Sequence, residues 1–321
     1  GLVPAGYDIA TEQFVLPVET IEKAAYKAGG PKLTASTEGN TLKVTSSKVN
    51  FVFDKQSGVV TSYKVGNTEY FKDGFGIQPN FWRAPNDNDY GSGNPARLAI
   101  WELSSRNFNV TDATAEIVDG NAIVKVDYKL PAGNHFIVTY KIYPDGVMNV
   151  GTHFTPAKLD GVKIAISEAT ATATFSPGRD KVSERDKMVV PRIGVRFRLP
   201  ATMEQVEYFG RGPWENYWDR KAGSPIGQYK STAEELYYPY ARPQENGHHC
   251  DTRWIALGGS GKNLLIIADD EMEFNALRNS VEDFDGGKAT DKPYQWNNFS
   301  AQEIANRPEL GPYDKPRQTH E

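Results

Sequence analysis

The chain has 321 residues, 39% hydrophobic and 24% charged, and its 36 basic against 41 acidic side chains leave a net charge of −5. That balance lacks the basic footprint of a nucleic-acid binder, and no apolar run approaches the roughly 20 residues that cross a bilayer. A single cysteine, Cys250, excludes an internal disulfide and a cysteine-based zinc site, and five histidines are too few to suggest a multi-histidine centre, so no metal ligands are assigned.

In chain order, Gly1-Leu2-Val3-Pro4 opens directly into strand-like sequence, with no secretory leader to read. Residues 13–17 read as the last strand of a preceding β unit. Residues 19–28 could form a helix, and 20–37 carry Lys, Ala, Gly and Pro without alternation, as a linker would. Val49, Phe51 and Phe53 alternate into a Lys55-Gln56-Ser57-Gly58 turn and a second strand at 59–65. Residues 95–102 and 232–238 could each supply a helical turn or two. Val124, Val126, Tyr128 and Leu130, then Phe136, Val138, Tyr140 and Ile142, then Met148, Val150 and Phe154 form a three-stranded antiparallel meander between turn-forming segments. Ile193, Val195, Phe197 and Leu199 alternate again. The run 264–268 reads as a more deeply buried strand, and Met272, Phe274 and Ala276 resume the alternation. Ser300-Ala301-Gln302-Glu303 is a capping box.

So many short strands with little helix predict an all-β protein built as a large antiparallel sandwich. Residues 1–20 read as the remnant of a preceding domain, 21–41 as a linker, and 42–321 as the main domain. Both ends read as interrupted, since 306–321 bring no apolar strand to close an edge.

Several motifs carry little. Asn86-Asp87-Asn88-Asp89-Tyr90-Gly91 imitates a calcium loop, but the closing Glu is replaced by Leu98, which favours a polar turn. Gly258-Gly259-Ser260-Gly261-Lys262 lacks the first glycine and the Ser or Thr of a phosphate loop and fits a hairpin turn. Asn109 and Asn298 head glycosylation sequons that matter only on a eukaryotic secretory route. His249 follows a strand parity that points it away from Cys250, so the thiol reads as structural.

Three turn-rich stretches concentrate chemistry: residues 80–89, 208–220 and 240–254. Their carboxylates and amides suit sugar hydroxyls, and their aromatic faces suit the C–H side of a pyranose. Arg83, Asp87, Asp89, Trp214, Glu215, Tyr217, Arg242, Glu245, Asn246, His248 and Arg253 are the candidate carbohydrate-contacting residues. The same residues admit a purely structural account, with Arg83, Arg211 and Arg220 paired to Asp87, Glu215 and Asp219 to lock long loops.

These stretches resemble the signatures of the C-terminal small-chain domain of β-galactosidases in glycoside hydrolase family 2. An Arg-Ala-Pro-x-Asp-Asn-Asp run is matched by Arg83 through Asp89. A Gly-x-Gly-Pro-x-Glu-Asn-Tyr-x-Asp-Arg run is matched by Gly210 through Arg220. A Pro-(Gln/Ser)-Glu-Asn-Gly run ahead of an Arg is matched by Pro243 through Gly247 and Arg253, and Val190 through Gly194 fits a fourth stretch. Residues 5–14 further resemble the closing strand of the immunoglobulin-like domain that precedes the small chain.

The resemblance implies a super-sandwich similar to galactose mutarotase, belonging to an enzyme that hydrolyses terminal β-galactosides with retention. Retention needs two carboxyl groups about 5–5.5 Å apart. In this family both are glutamates on a TIM barrel of roughly 250 residues, which these residues do not supply, so no catalytic residue is assigned here. The family's substrate-facing tryptophan, in a Gly-Gly-Asp-rich loop, is placed by the resemblance beyond Glu321, and His248-His249 depart from many relatives. The implied partners are the other domains of the parent and galactosides or other carbohydrate. No nucleic acid, membrane or cofactor is expected in this portion, any magnesium or sodium of the parent lying outside it, and a homo-oligomeric parent is left open. A soluble protein of the bacterial cytoplasm or periplasm is expected. Two alternatives stand beside this reading: a free-standing aldose 1-epimerase, for which His135 and His153 would be candidate acids although both read as outward-facing, and a carbohydrate-binding module.

Overall fold

The computed structural model describes residues 3–4, 6–14, 16, 26–157, 189–240 and 244–284, together with the backbone of 164–167 and 172–175. Period-two alternation builds a first antiparallel sheet from β1 (Thr34–Glu38), β2 (Thr41–Thr45), β3 (Val49–Asp54), β4 (Val59–Val65) and β5 (Thr68–Glu69), paired in chain order. A second comprises β7 (Asn109–Val118), β8 (Asn121–Lys129), β9 (His135–Ile142) and β10 (Met148–Thr155), again sequential neighbours. The expected meander is therefore present, with β7 added at its edge.

These two sheets bury their apolar faces in one core. Leu42, Val44, Phe51 and Phe53 meet Val124, Val126, Tyr128, Phe136, Val138 and Tyr140, each fully excluded from solvent. The rings of Phe51 and Tyr140 lie 5.3 Å apart across the layers. Tyr128 donates its hydroxyl to the Gly58 carbonyl at 3.0 Å, which satisfies the polar end of a buried ring. Burial of each such side chain contributes roughly 1.5–3 kcal/mol, so the alternation read in the sequence is the main source of this layer's stability.

Between the sheets in sequence, β6 (Gln78–Asn80) leads to three short helices, α1 (Asp87–Ser92), α2 (Asn94–Arg97) and α3 (Ala99–Arg106). Helix α3 buries Trp101 against Phe81 and Phe154. After the paired strands β11 (Ile164–Ser167) and β12 (Thr172–Phe175), strand β13 (Gly194–Arg196) returns to pair with β6.

A further sheet follows, from β14 (Gln205–Arg211), β15 (Ile226–Thr232), β16 (His248–Gly259) and β17 (Lys262–Asn275), ordered β15-β14-β16-β17. It has its own small core of Val206, Tyr208, Leu236, Ile255 and Leu257. Ser260 and Gly261 join β16 to β17 with φ of 50° and 76°, the positive pair that a two-residue hairpin turn requires. The glycine-rich segment is thus a hairpin, as expected. A last turn, α4 (Val281–Phe284), packs Phe284 against Tyr237.

The structure corrects several expectations. The sheet begins at Thr34, inside the stretch 21–41 read as linker, and Leu33 is already buried. Strand β1 escaped notice because Thr-Ala-Ser-Thr-Glu is an edge strand of small polar residues, held by its ladder to β2 rather than by apolar alternation. The strand expected at 13–17 is absent among its described residues. Phe14 and Leu16 are exposed, and Gln13 instead uses its side-chain amide to exchange two hydrogen bonds with the backbone of Ile226. The strand expected over Ile193 to Leu199 shrinks to β13. The segment 264–268 is not deeply buried: β17 is an edge strand, and Leu265 and Ile267 are 57% and 69% exposed. The helix expected at 19–28 lies mostly outside the described residues, and 26–28 are not helical. The capping box at Ser300 and the sequon at Asn298 lie wholly outside them.

Candidate functional site

The three chemistry-bearing stretches converge, and buried carboxylates are the junctions. Glu245, in the loop before β16, accepts the Ala84 N–H at 3.1 Å on one oxygen. Its other oxygen takes the Arg192 guanidinium at 2.6 Å and the Asn275 amide at 3.3 Å. One side chain thus ties the first stretch, the third, the segment before β13, and the end of β17.

Glu215 does the same for the second stretch. Its carboxylate, 6% exposed, accepts the Gly247 N–H at 2.8 Å, Arg220 at 2.6 Å, the Tyr217 hydroxyl at 3.3 Å and the Tyr240 hydroxyl. Burial, then the bond to Glu215, pushes the Tyr240 hydroxyl up to about 12, so it stays a donor at neutral pH. Asn216, fully buried, donates to the carbonyls of Arg211 and Trp214 and accepts the Cys250 N–H at 2.8 Å. Asn246 exchanges two bonds with the backbone of Tyr238. Gly247 has φ of +64°, and a Cβ there would sit 2.8 Å from the Leu277 side chain and 2.9 Å from the Leu236 carbonyl, which accounts for glycine at this place in the run.

The first stretch has its own lock. Arg83 makes two parallel bonds to Asp89, at 2.7 and 3.1 Å. Asn86 and Asp89 exchange reciprocal side-chain-to-backbone bonds of 3.0 Å, the capping-box pattern that starts α1. The calcium-like sequence is therefore a helix start. Burial by itself would raise the Asp89 carboxyl, but the bonds from Arg83, Asn86 and Asn94 outweigh it and hold the group below its ordinary value.

The arginine pairings differ from those expected. Arg83 meets Asp89, its expected partner Asp87 lying outside the described side chains, whereas Arg211 meets Asp251 rather than Glu215, and Arg220 meets Glu215 rather than Asp219. Sequence neighbours were the natural guess, yet Arg220 reaches back five residues to Glu215, and Asp251 reaches Arg211 from β16. Arg253 is held by Glu271 at 2.5 Å. The Asp87 side chain and Arg242 lie outside what the structure describes.

The candidates therefore divide. Glu245, Asn246, His248 and Asp89 are buried, as is the carboxylate end of Glu215, and their polar atoms are engaged by protein groups. Trp214 and its neighbour Trp218 are 70% and 77% exposed. Tyr217 stacks on His248 at 5.3 Å. The His248 ring bonds Asn275 through Nδ1 at 2.9 Å and Glu273 through Nε2 at 3.0 Å. Burial pushes the Cys250 thiol up to about 12, so without a bound cation it keeps its proton at neutral pH. His135 is partly exposed and bonded to Asp127 at 3.1 Å, and His153 is exposed, as their parity suggested.

Sequence reasoning missed Asn216, Tyr240, Glu273 and Asn275 as members of this constellation. Arg192 sat in a recognised stretch without being assigned a role. Glu273 and Asn275 had one signal: they hold the polar phase opposite Met272 and Phe274. Strand register places Asn275 opposite His248, which parity within a single strand cannot reveal.

An all-β chain of antiparallel sheets, with signature loops knotted through buried carboxylates, defines the class. The family described as beta galactosidase small chain matches residues 45–303, and the chain belongs to it. It is 34% identical over 275 residues to a beta-galactosidase of Priestia megaterium (strain DSM 319 / IMG 1521), covering 85% of this chain and 24% of that protein. It is 26% identical over 292 residues to a beta-galactosidase of Streptococcus thermophilus, covering 89% and 25%. A beta-galactosidase of Lactobacillus delbrueckii subsp. bulgaricus is 30% identical over 254 residues, covering 78% and 22%. The chain spans about a quarter of the length of these curated relatives. No helix among the described residues is long and apolar enough to cross a membrane.

Proposed function

We propose that this chain is the non-catalytic small-chain portion of a retaining β-galactosidase, one that walls a galactoside site whose acid/base and nucleophile reside on another domain of the parent. The observation that carries this is the state of the two best-placed glutamates. A retaining pair needs one carboxyl free to give up a proton and one free to attack an anomeric carbon. Glu215 and Glu245 have both oxygens occupied by guanidinium, amide, hydroxyl or main-chain donors. Carboxylates whose oxygens are taken up in this way act as ties between loops rather than as groups presented to a substrate. The relatives named above, four times longer than the matched segment, support a parent with room for a barrel.

Within that role, the exposed Trp214 and Trp218 favour a carbohydrate or domain contact at the rim of the second stretch. The implied partners are the remaining domains of the parent and its galactoside. The test is turnover of a chromogenic β-galactoside by the purified chain. No hydrolysis above the uncatalysed rate is expected, and steady turnover that survives further purification would overturn the reading. Polarimetry with fresh α-galactose addresses the epimerase alternative, where faster mutarotation would favour it.

A further inference from the structure

Both ring nitrogens of His248 face oxygen. Asn275 fixes one side: its Oδ1 already accepts Arg192 at 3.2 Å while its Nδ2 donates to the Asn246 carbonyl at 2.6 Å, so the amide cannot be turned around. His248 Nδ1, 2.9 Å from that Oδ1, must therefore be the donor. The other nitrogen, Nε2, lies 3.0 Å from a Glu273 carboxylate oxygen, a contact that is filled either by the second proton of an imidazolium or by a bound cation.

Cys250 completes the arrangement. It shares the strand face of His248 on β16, two residues on, and the ligand atoms of His248, Cys250 and Glu273 all lie within 4.8 Å of one another. We propose that His248 Nε2, Cys250 Sγ and the Glu273 carboxylate form a binding site for a divalent transition-metal ion of the zinc and cobalt class. Tetrahedral zinc with nitrogen and oxygen at about 2.0–2.1 Å holds those two ligands roughly 3.3 Å apart, close to the 3.0 Å between His248 Nε2 and the Glu273 oxygen, with the Cys250 sulfur within 4.8 Å of both. One imidazole, one thiolate and one carboxylate suit zinc or cobalt rather than the all-oxygen preference of magnesium or calcium. His248 and Cys250 are buried, whereas the Glu273 side chain is 35% exposed, which gives the ion an entry and leaves a fourth position toward solvent. Asn275, itself held by Arg192, orients the imidazole from behind, as outer partners of metal-bound histidines do. Binding releases the thiol proton to solvent. This departs from the sequence-based expectation of no metal, which counted cysteines and histidines separately and could not see three unlike ligands converge from two strands.

The site is independent of the function proposed above, and its test reads metal rather than turnover. The chain, stripped of metal by chelator, is titrated with cobalt and then zinc. One equivalent of cobalt is expected to give a thiolate-to-metal charge-transfer band in the near ultraviolet and the intense visible bands of a four-coordinate ion, with displacement by zinc. Glu273→Gln, a half-exposed change that keeps the fold, weakens cobalt binding roughly tenfold or more. Cys250→Ser removes the charge-transfer band. His153→Gln, at an exposed histidine on β10, leaves both unchanged. Absence of stoichiometric binding at micromolar metal, a bound ion without the sulfur band, or binding indifferent to Glu273→Gln each overturns the proposal.

Discussion

Arg192 and Glu245, 53 residues apart in the chain, meet at 2.6 Å, and the carboxylate that receives this guanidinium also accepts the main-chain N–H of Ala84. The contact joins a segment beside β13, a loop before β16 and the first signature stretch. Glu245 is 6% exposed in its side chain and Arg192 21%.

Removing the charge from that junction strands a largely buried guanidinium. Glu245→Gln is expected to lower unfolding free energy by about 3 kcal/mol, read as a lower urea midpoint at unchanged slope. A midpoint within error of wild type would mean that the loops are held by other contacts.

Asn216 offers a neutral counterpart. Replacing it with Ala leaves the carbonyls of Arg211 and Trp214 and the Cys250 N–H without their partner in a fully buried place. A loss of about 2–4 kcal/mol is expected. Hydrogen exchange of the Cys250 amide, accelerated in Asn216→Ala, would localise the effect.

Gly247 tests backbone geometry rather than charge. With φ of +64° and Leu277 and the Leu236 carbonyl already within 2.9 Å of a Cβ position, Gly247→Ala is expected to cost more than about 1 kcal/mol. Gly120, also at positive φ but with open space around it, gives the comparison: Gly120→Ala carries the backbone strain without the clash and costs less.

Acid sensitivity follows from Asp89. Its folded carboxyl lies below the ordinary 3.8, so the unfolded chain takes up the proton first. The associated stability is fully present above pH 3.8 and is lost as pH falls through the lower folded value. Asp89→Asn, which cannot titrate, should differ most from wild type near neutrality, and the gap should close below pH 3.8. Urea midpoints measured from pH 7 down to pH 3 check the sign.

Trp214 probes the rim. As an exposed residue its replacement by Ala should leave stability within about 0.5 kcal/mol. If the rim contacts carbohydrate, galactose or lactose quenches the tryptophan fluorescence of the wild-type chain, and Trp214→Ala weakens that response at least tenfold. A wild-type chain unmoved by either sugar removes the contact.

The sandwich was legible because its strands announce themselves. Val124 to Leu130 and Phe136 to Ile142 put every second side chain into one core, and a period-two pattern has no other stable use. Where burial does not drive a strand, the pattern fails. The polar edge strand β1 passed for a linker, and Leu265 and Ile267 passed for core because an edge strand can carry apolar residues on its outer face. The signature stretches were recognisable as a set, but their interior wiring was not.

The sequence by itself determined the class of fold, the meander, the hairpin at Ser260-Gly261 and the family, since each depends on residues close together in the chain or on a motif read in order. Only the tertiary structure decided which carboxylate meets which arginine, that Glu215 and Glu245 are buried ties, and that His248, Cys250 and Glu273 face one another. The physical reason is register: hydrogen-bonded pairing between distant strands sets those contacts, and a residue's own neighbours in sequence carry no record of it.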